Sequence, residues 1–209
     1  EDILTNQNYI SKGIVLDKLL ESLIVSKVNY NDIIVGDKNA LLIASRVLGY
    51  GKDYSFKAQS TVTNQLENFT VDLTTLNDKE LKNKDLKEVG INEFEYTLPT
   101  TNKLITYKLL THGDETAIAK EIQGQNKIRP GSNPEISTRL KYIITSIDGD
   151  SDKKTIREFV DNYLLAKDSR SLRTEIKRVA PDVELKYHGE DGQEDINIPI
   201  SLNFFWPDL

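Results

Sequence analysis

With 209 residues, 33 acidic and 27 basic side chains, a net charge of −6 and no cysteine, the chain excludes disulfides and thiolate metal centres. A chain of this length buries roughly 70% of its unfolded surface, enough for one sizeable core or a core plus a small subdomain. The charges are interspersed and form no basic face, which argues against a nucleic-acid partner; with neither an apolar run of about 18 residues nor a charged-then-apolar leader, no transmembrane helix, membrane partner or signal peptide is expected.

Asp2 to Ser11 carries Ile3, Leu4 and Ile10 and reads as a first helix or turn. From Ile14 to Ser26, Val15, Leu16, Leu19, Leu20, Leu23 and Ile24 repeat at helical period, with Asp17, Lys18 and Glu21 opposite, which is an amphipathic helix. A polar loop with Asn29, Asn31 and Asp32 leads to the strongest helix signal, VGDKNALLIASRVLGYGKDY from Val35 to Tyr54. There Asp37 is placed to cap, Ala40, Leu41, Ile43, Ala44, Val47 and Leu48 form the apolar stripe, and Gly49 and Gly51 are stop residues, giving a core helix of roughly a dozen residues beside the preceding one.

The period then changes to two. Tyr54, Phe56 and Ala58, then Phe69, Val71 and Leu73, alternate with polar residues around Thr63-Asn64-Gln65, the pattern of a hairpin. After a lysine-rich, solvated stretch from Asn77 to Lys87, a second strand pair is expected from Phe94, Tyr96 and Leu98, a Thr-Thr-Asn turn, and Leu104 to Leu110. Thr111 and Asp114 stand where helix caps belong, and Ala117, Ile118 and Ile122 predict a short helix ending near Gly124. Arg129 to Pro134 is loop by composition. Leu140, Ile143, Ile144 and Ile147 fit either a strand or a short helix. Helices follow over Asp152–Leu165, on Ile156, Phe159, Val160, Tyr163 and Leu164, and over Ser169–Val179, on Leu172, Ile176 and Val179, stopped by Pro181. Val183–Tyr187 and Ile196–Phe204, around Gly189-Glu190-Asp191-Gly192, read as a closing hairpin whose second strand alternates Ile196, Ile198, Ile200, Leu202 and Phe204; Pro199 makes it an edge. The fold class is α+β: a helical core with an inserted four-stranded β unit and a C-terminal β-hairpin. The expected divisions are 1–53 and 111–209 for the helical core and 54–110 for the β insertion.

The candidate chemistry is thin. Asp148-Gly149-Asp150-Ser151-Asp152 opens like a calcium loop, but Lys153 stands where glycine must turn the chain and Phe159 where a bidentate glutamate closes the site; a turn with Ser151 or Asp152 capping the next helix explains it. His112 and His188 are the only imidazoles, without metal-spaced partners, and His112 beside Asp114 and Glu115 reads as a capping turn rather than a base. No nucleophile elbow or phosphate-binding glycine loop occurs. No catalytic residue, metal or cofactor is expected. Arg170, Arg173, Lys177 and Arg178 form a basic patch at helical spacing, solvated or facing a protein. Phe204, Phe205, Trp206 and Pro207 form an aromatic terminus; a strand would place Phe205 opposite Phe204, free to contact another chain. Arg170, Arg173 and Phe204 to Pro207 are thus the candidate partner-binding residues.

Across nearly the whole chain the text EDILTNQNYISKG, the Val35–Tyr54 helix, LLTHGDE and NIPISLNFFWP resembles the baseplate hub and hub-assembly proteins of T-even-like contractile-tailed bacteriophages. The resemblance lies in the order of these elements. It implies a structural or assembly role where hub, tail tube, spike and tape-measure protein meet, with those proteins or copies of itself as partners, in a tail baseplate assembled in the bacterial cytoplasm. It also implies further native chain before Glu1. In such relatives the first hairpin carries a cysteine zinc knuckle; here the place reads Ala58-Gln59-Ser60-Thr61-Val62-Thr63, so the β unit resembles a degenerate zinc ribbon without its ligands. A small tail-tip enzyme such as a cell-wall hydrolase is the alternative, and would need paired carboxylates in a cleft.

Overall fold

The computed structural model describes residues 2–11, 13–79, 90–131, 133–189 and 195–205. Among the described residues every strand pairs antiparallel, in small separate sheets interspersed with α-helices, so the fold is α+β. The chain forms two compact units. The first comprises Glu1–Val28, Gly36–Lys79 and Asp182–Leu209, and the second Asn29–Val35 and Glu80–Pro181. This departs from the expected division at 53 and 110, because the four strands expected as one insertion fall into different sheets.

In the first unit α1 (Gln7–Ser11) and α2 (Val15–Leu23) precede α3 (Asp37–Tyr50). Helix α2 buries Val15 and Leu20, and its Asp17 pairs with Lys38 of α3. Helix α3 buries Leu42, Ile43 and Arg46, whereas Ala40 and Ala44 are exposed and Leu48 is 88% exposed. The buried face is therefore rotated from the expected stripe. A charged residue holds part of it: the Arg46 guanidinium donates to the carbonyls of Gly51 (3.2 Å) and Asp53 (3.4 Å) and lies over the Tyr50 ring, so the helix end neutralises part of its charge. Asp37 makes no cap, since Gly36 occupies that position; burial pushes its carboxyl pKa upward. Gly49 is helical, and Gly51, at φ 88°, ends the helix.

Strands β1 (Asp53–Gln59) and β2 (Leu66–Asp72) pair with Tyr54 opposite Val71 and Phe56 opposite Phe69. Their turn is closed by hydrogen bonds. The buried Ser60 hydroxyl accepts from the Val62 and Thr63 amides, the Ser60 amide donates to Gln65, and Asn64 takes a φ of 59°. Beyond them β6 (Lys186–His188) and β7 (Asp195–Asn197) form a short ribbon, and the chain then turns into α8 (Leu202–Phe205). The long alternating strand expected up to Phe204 is absent. Pro199 has no N–H for a ladder, and its carbonyl accepts from the Tyr54 hydroxyl at 3.1 Å. The helical turn lets consecutive side chains be buried together, which a strand forbids: Phe204 is 0% and Phe205 2% exposed, with the Phe204 ring 4.8 Å from Tyr54 and 5.1 Å from Phe205.

The second unit is built on β3 (Phe94–Thr97), β4 (Leu104–Tyr107) and β5 (Ile144–Ile147), with α4 (His112–Ile128), α5 (Glu135–Ile143), α6 (Lys153–Asn162) and α7 (Ala166–Val179). Ile105, Tyr107, Leu140, Ile144, Phe159 and Leu172 lie at the centre of its core. Full burial of such side chains contributes about 1.5–3 kcal/mol each. The segment expected to join two neighbouring helices, 29–35, packs here instead, with the Val35 amide donating to Leu110 and the His112 amide to Ile33. Helix α4 starts with a capping box of Thr111 and Asp114 and continues through Gly124 to Ile128, its end set by Arg129 and Pro130. The Leu140–Ile147 stretch is helix and strand in succession, α5 passing directly into β5. Asp148-Gly149 makes a tight turn at φ 50° and 86°; the Asp148 carboxylate accepts from Lys103 (2.8 Å) and the Leu104 amide (2.9 Å), and Asp152 caps α6 through Thr155. The lysine-rich stretch lies mostly outside the described residues, as do Glu190-Asp191-Gly192 of the closing turn. No helix among the described residues is long and apolar enough to cross a membrane.

Candidate interaction surface

Helix α7 has two unlike faces. Asp168, Leu172 and Val179 are buried, and the Tyr96 hydroxyl meets Ser171 Oγ at 2.6 Å. Asp168 fixes the start of the helix: its carboxylate accepts from the Thr100 amide (2.8 Å), the Thr101 amide (3.1 Å) and the Thr101 hydroxyl (2.9 Å), pinning the β3–β4 turn. With that side held inward, Lys167, Arg170, Arg173 and Lys177 are exposed on the other. The row spans about 15 Å at the helical rise of 1.5 Å per residue. Among the described residues Arg170 and Arg173 meet no carboxylate; Arg173 Nε donates to the Ser169 carbonyl at 3.4 Å. Glu175 is committed to Arg178 through two bonds of 2.8 and 2.6 Å. Just before the helix, Tyr163 is 60% and Leu165 47% exposed. Tyrosine and arginine are residue types that interface centres favour.

The other sequence candidates fall elsewhere. Phe204 and Phe205 are buried in the first unit by the chain itself, which removes the reason for placing Phe205 at a contact with another chain; Trp206 and Pro207 lie outside the described residues. The His112 ring packs on Tyr30 with centroids 4.6 Å apart, and exposed His188 has Nδ1 3.5 Å from Asp195. Asp114 is held in the capping box and by Lys108. Glu121 accepts from both terminal nitrogens of Arg157 at 2.8 Å and from the Tyr142 hydroxyl at 3.0 Å. The Arg157 bonds above all hold its pKa down, at about 2, so it is a fixed counter-ion and not a proton donor near neutrality. Among the described residues no three His, Asp or Glu side chains gather as a metal site. Sequence reasoning missed Arg46 and Asp168. Each reads locally as an exposed helical charge, and no sequence signal marks partners as distant as Thr100 and Thr101.

No family model, curated protein or solved structure matches this chain.

Proposed function

We propose that the protein is a structural or assembly component of a contractile-tailed phage baseplate hub, acting through protein–protein interfaces without catalysis. The observation that carries this reading is the outer face of α7, where Arg170 and Arg173 stand exposed with no carboxylate partner among the described residues, in the helix that follows exposed Tyr163 and Leu165. The resemblance of the chain's text to hub proteins supplies the setting: hub, tail-tube or tape-measure proteins as partners, assembly in the host cytoplasm, and a place in the tail baseplate. Interfaces of this kind draw affinity from a few aromatic and arginine anchors and orientation from charge. Antibody against the protein should mark baseplate hub intermediates of the phage that carries its gene. Detection in mature particles as well identifies a permanent subunit, detection in intermediates alone an assembly factor, and absence from both overturns the proposal.

A further inference from the structure

A cleft of about 450 Å³ lies in the second unit, lined by Lys108 after β4, by Lys141 on α5, by Thr145 on β5 and by Lys153 and Arg157 on α6. Asp114 is the one carboxylate among its described lining residues; counted with Asp161 and Glu121, which pair with Lys141 and Arg157 from outside the lining, the four cations leave a net charge of +1. The ion pairs do not exhaust these cations. Lys108 donates to Asp114 at 2.8 Å and Lys141 to Asp161 at 2.7 Å, yet an ammonium has three N–H donors, so each has others to offer. The carboxylates that hold Lys141 and Arg157, Asp161 and Glu121, are not among the lining residues. Lys153, exposed at the start of α6, makes no ion pair among the described residues. Thr145 also lines the cleft.

We propose that this cleft binds a small phosphate-class oxyanion, free or carried as a phosphomonoester. Three elements supply its cations, which suits a tetrahedral anion with several acceptor oxygens better than a planar carboxylate. A cleft of this volume also exceeds what a phosphate ion fills and leaves room for an esterified group. The inference is independent of the baseplate role.

The test is calorimetric titration of the full chain with inorganic phosphate and with glycerol 3-phosphate at constant ionic strength. Saturable binding with a Kd of ~10 mM or tighter is expected for at least one probe. Lys153→Gln, at an exposed residue without an ion pair among the described residues, should weaken it about tenfold, with circular dichroism unchanged. Lys154→Gln, on the same helix but outside the cleft lining, should leave affinity unaltered. Tighter binding of glycerol 3-phosphate assigns the cleft to a phosphomonoester and equal affinity to the free ion. No saturable binding of either probe, or equal loss in Lys153→Gln and Lys154→Gln, overturns the proposal.

Discussion

Asp168 shows how one carboxylate can hold a local arrangement. Burial alone would raise its pKa, but the bonds from Thr100 and Thr101 outweigh burial and the net shift is downward. Replacing it by alanine leaves three donors without their acceptor, so Asp168→Ala should cost on the order of 3 kcal/mol in urea unfolding; a loss below ~1 kcal/mol would show that the β3–β4 turn is held by other contacts. Glu121 carries a pH prediction. Its folded pKa, about 2, lies below the ordinary 4.5, so its contribution is complete above 4.5 and is lost as pH falls toward 2. Glu121→Gln should flatten that limb of an acid-unfolding profile, and an unchanged limb would remove Glu121 from the acid response. These roles differ in legibility. The Thr111–Asp114 box is readable because both partners sit within one turn, whereas Asp168 looks like any acidic residue in a first helical turn.

At the scale of elements, α3 separates what periodicity can and cannot reveal. Its extent follows from apolar spacing and from Gly51, but its buried face turns on Arg46, which a count of hydrophobic residues leaves outside. Leu48, at 88% exposure, lies off the packed face and Ile43, at 8%, lies on it. Ile43→Asp should therefore cost several kcal/mol, since it buries an unpaired carboxylate, while Leu48→Asp should stay within about 0.5 kcal/mol. Thermal melts of the pair decide this; equal destabilisation would contradict the rotated face. Gly124 illustrates the converse error, since an isolated glycine ends a helix only where tertiary packing lets it, and α4 runs on to Ile128. The α5–β5 stretch is ambiguous in sequence because both periods are present in turn. At the closing ribbon the alternation of Ile196 to Phe204 is a true pattern of apolar residues, but Pro199 interrupts the ladder and α8 buries Phe204 and Phe205 side by side.

At the scale of the molecule, the α+β class was legible because helix and strand periods are distinct, while the division into units was not. Each unit is assembled from separated pieces, Asp182–Leu209 joining Glu1–Val28 and Gly36–Lys79, and Asn29–Val35 joining Glu80–Pro181. Such pairings depend on complementary surfaces far apart in sequence, which local spacing does not encode. Arg170 and Arg173 were legible as a basic patch, because helical spacing alone sets them on one side of α7; the burial of Phe204 and Phe205 was not, since it depends on the Tyr54 ring. Under the proposed function, the exposed face of α7 is where the protein joins hub partners. Arg170→Glu/Arg173→Glu changes only exposed side chains that have no carboxylate partner among the described residues, so the fold should persist while contact with an acidic or aromatic partner surface is lost. The direct measurement is co-sedimentation of this variant with purified baseplate hub intermediates. The expected result is a folded variant with at least a tenfold loss of association, and a folded variant that sediments with the hub as the unaltered protein does would contradict the account.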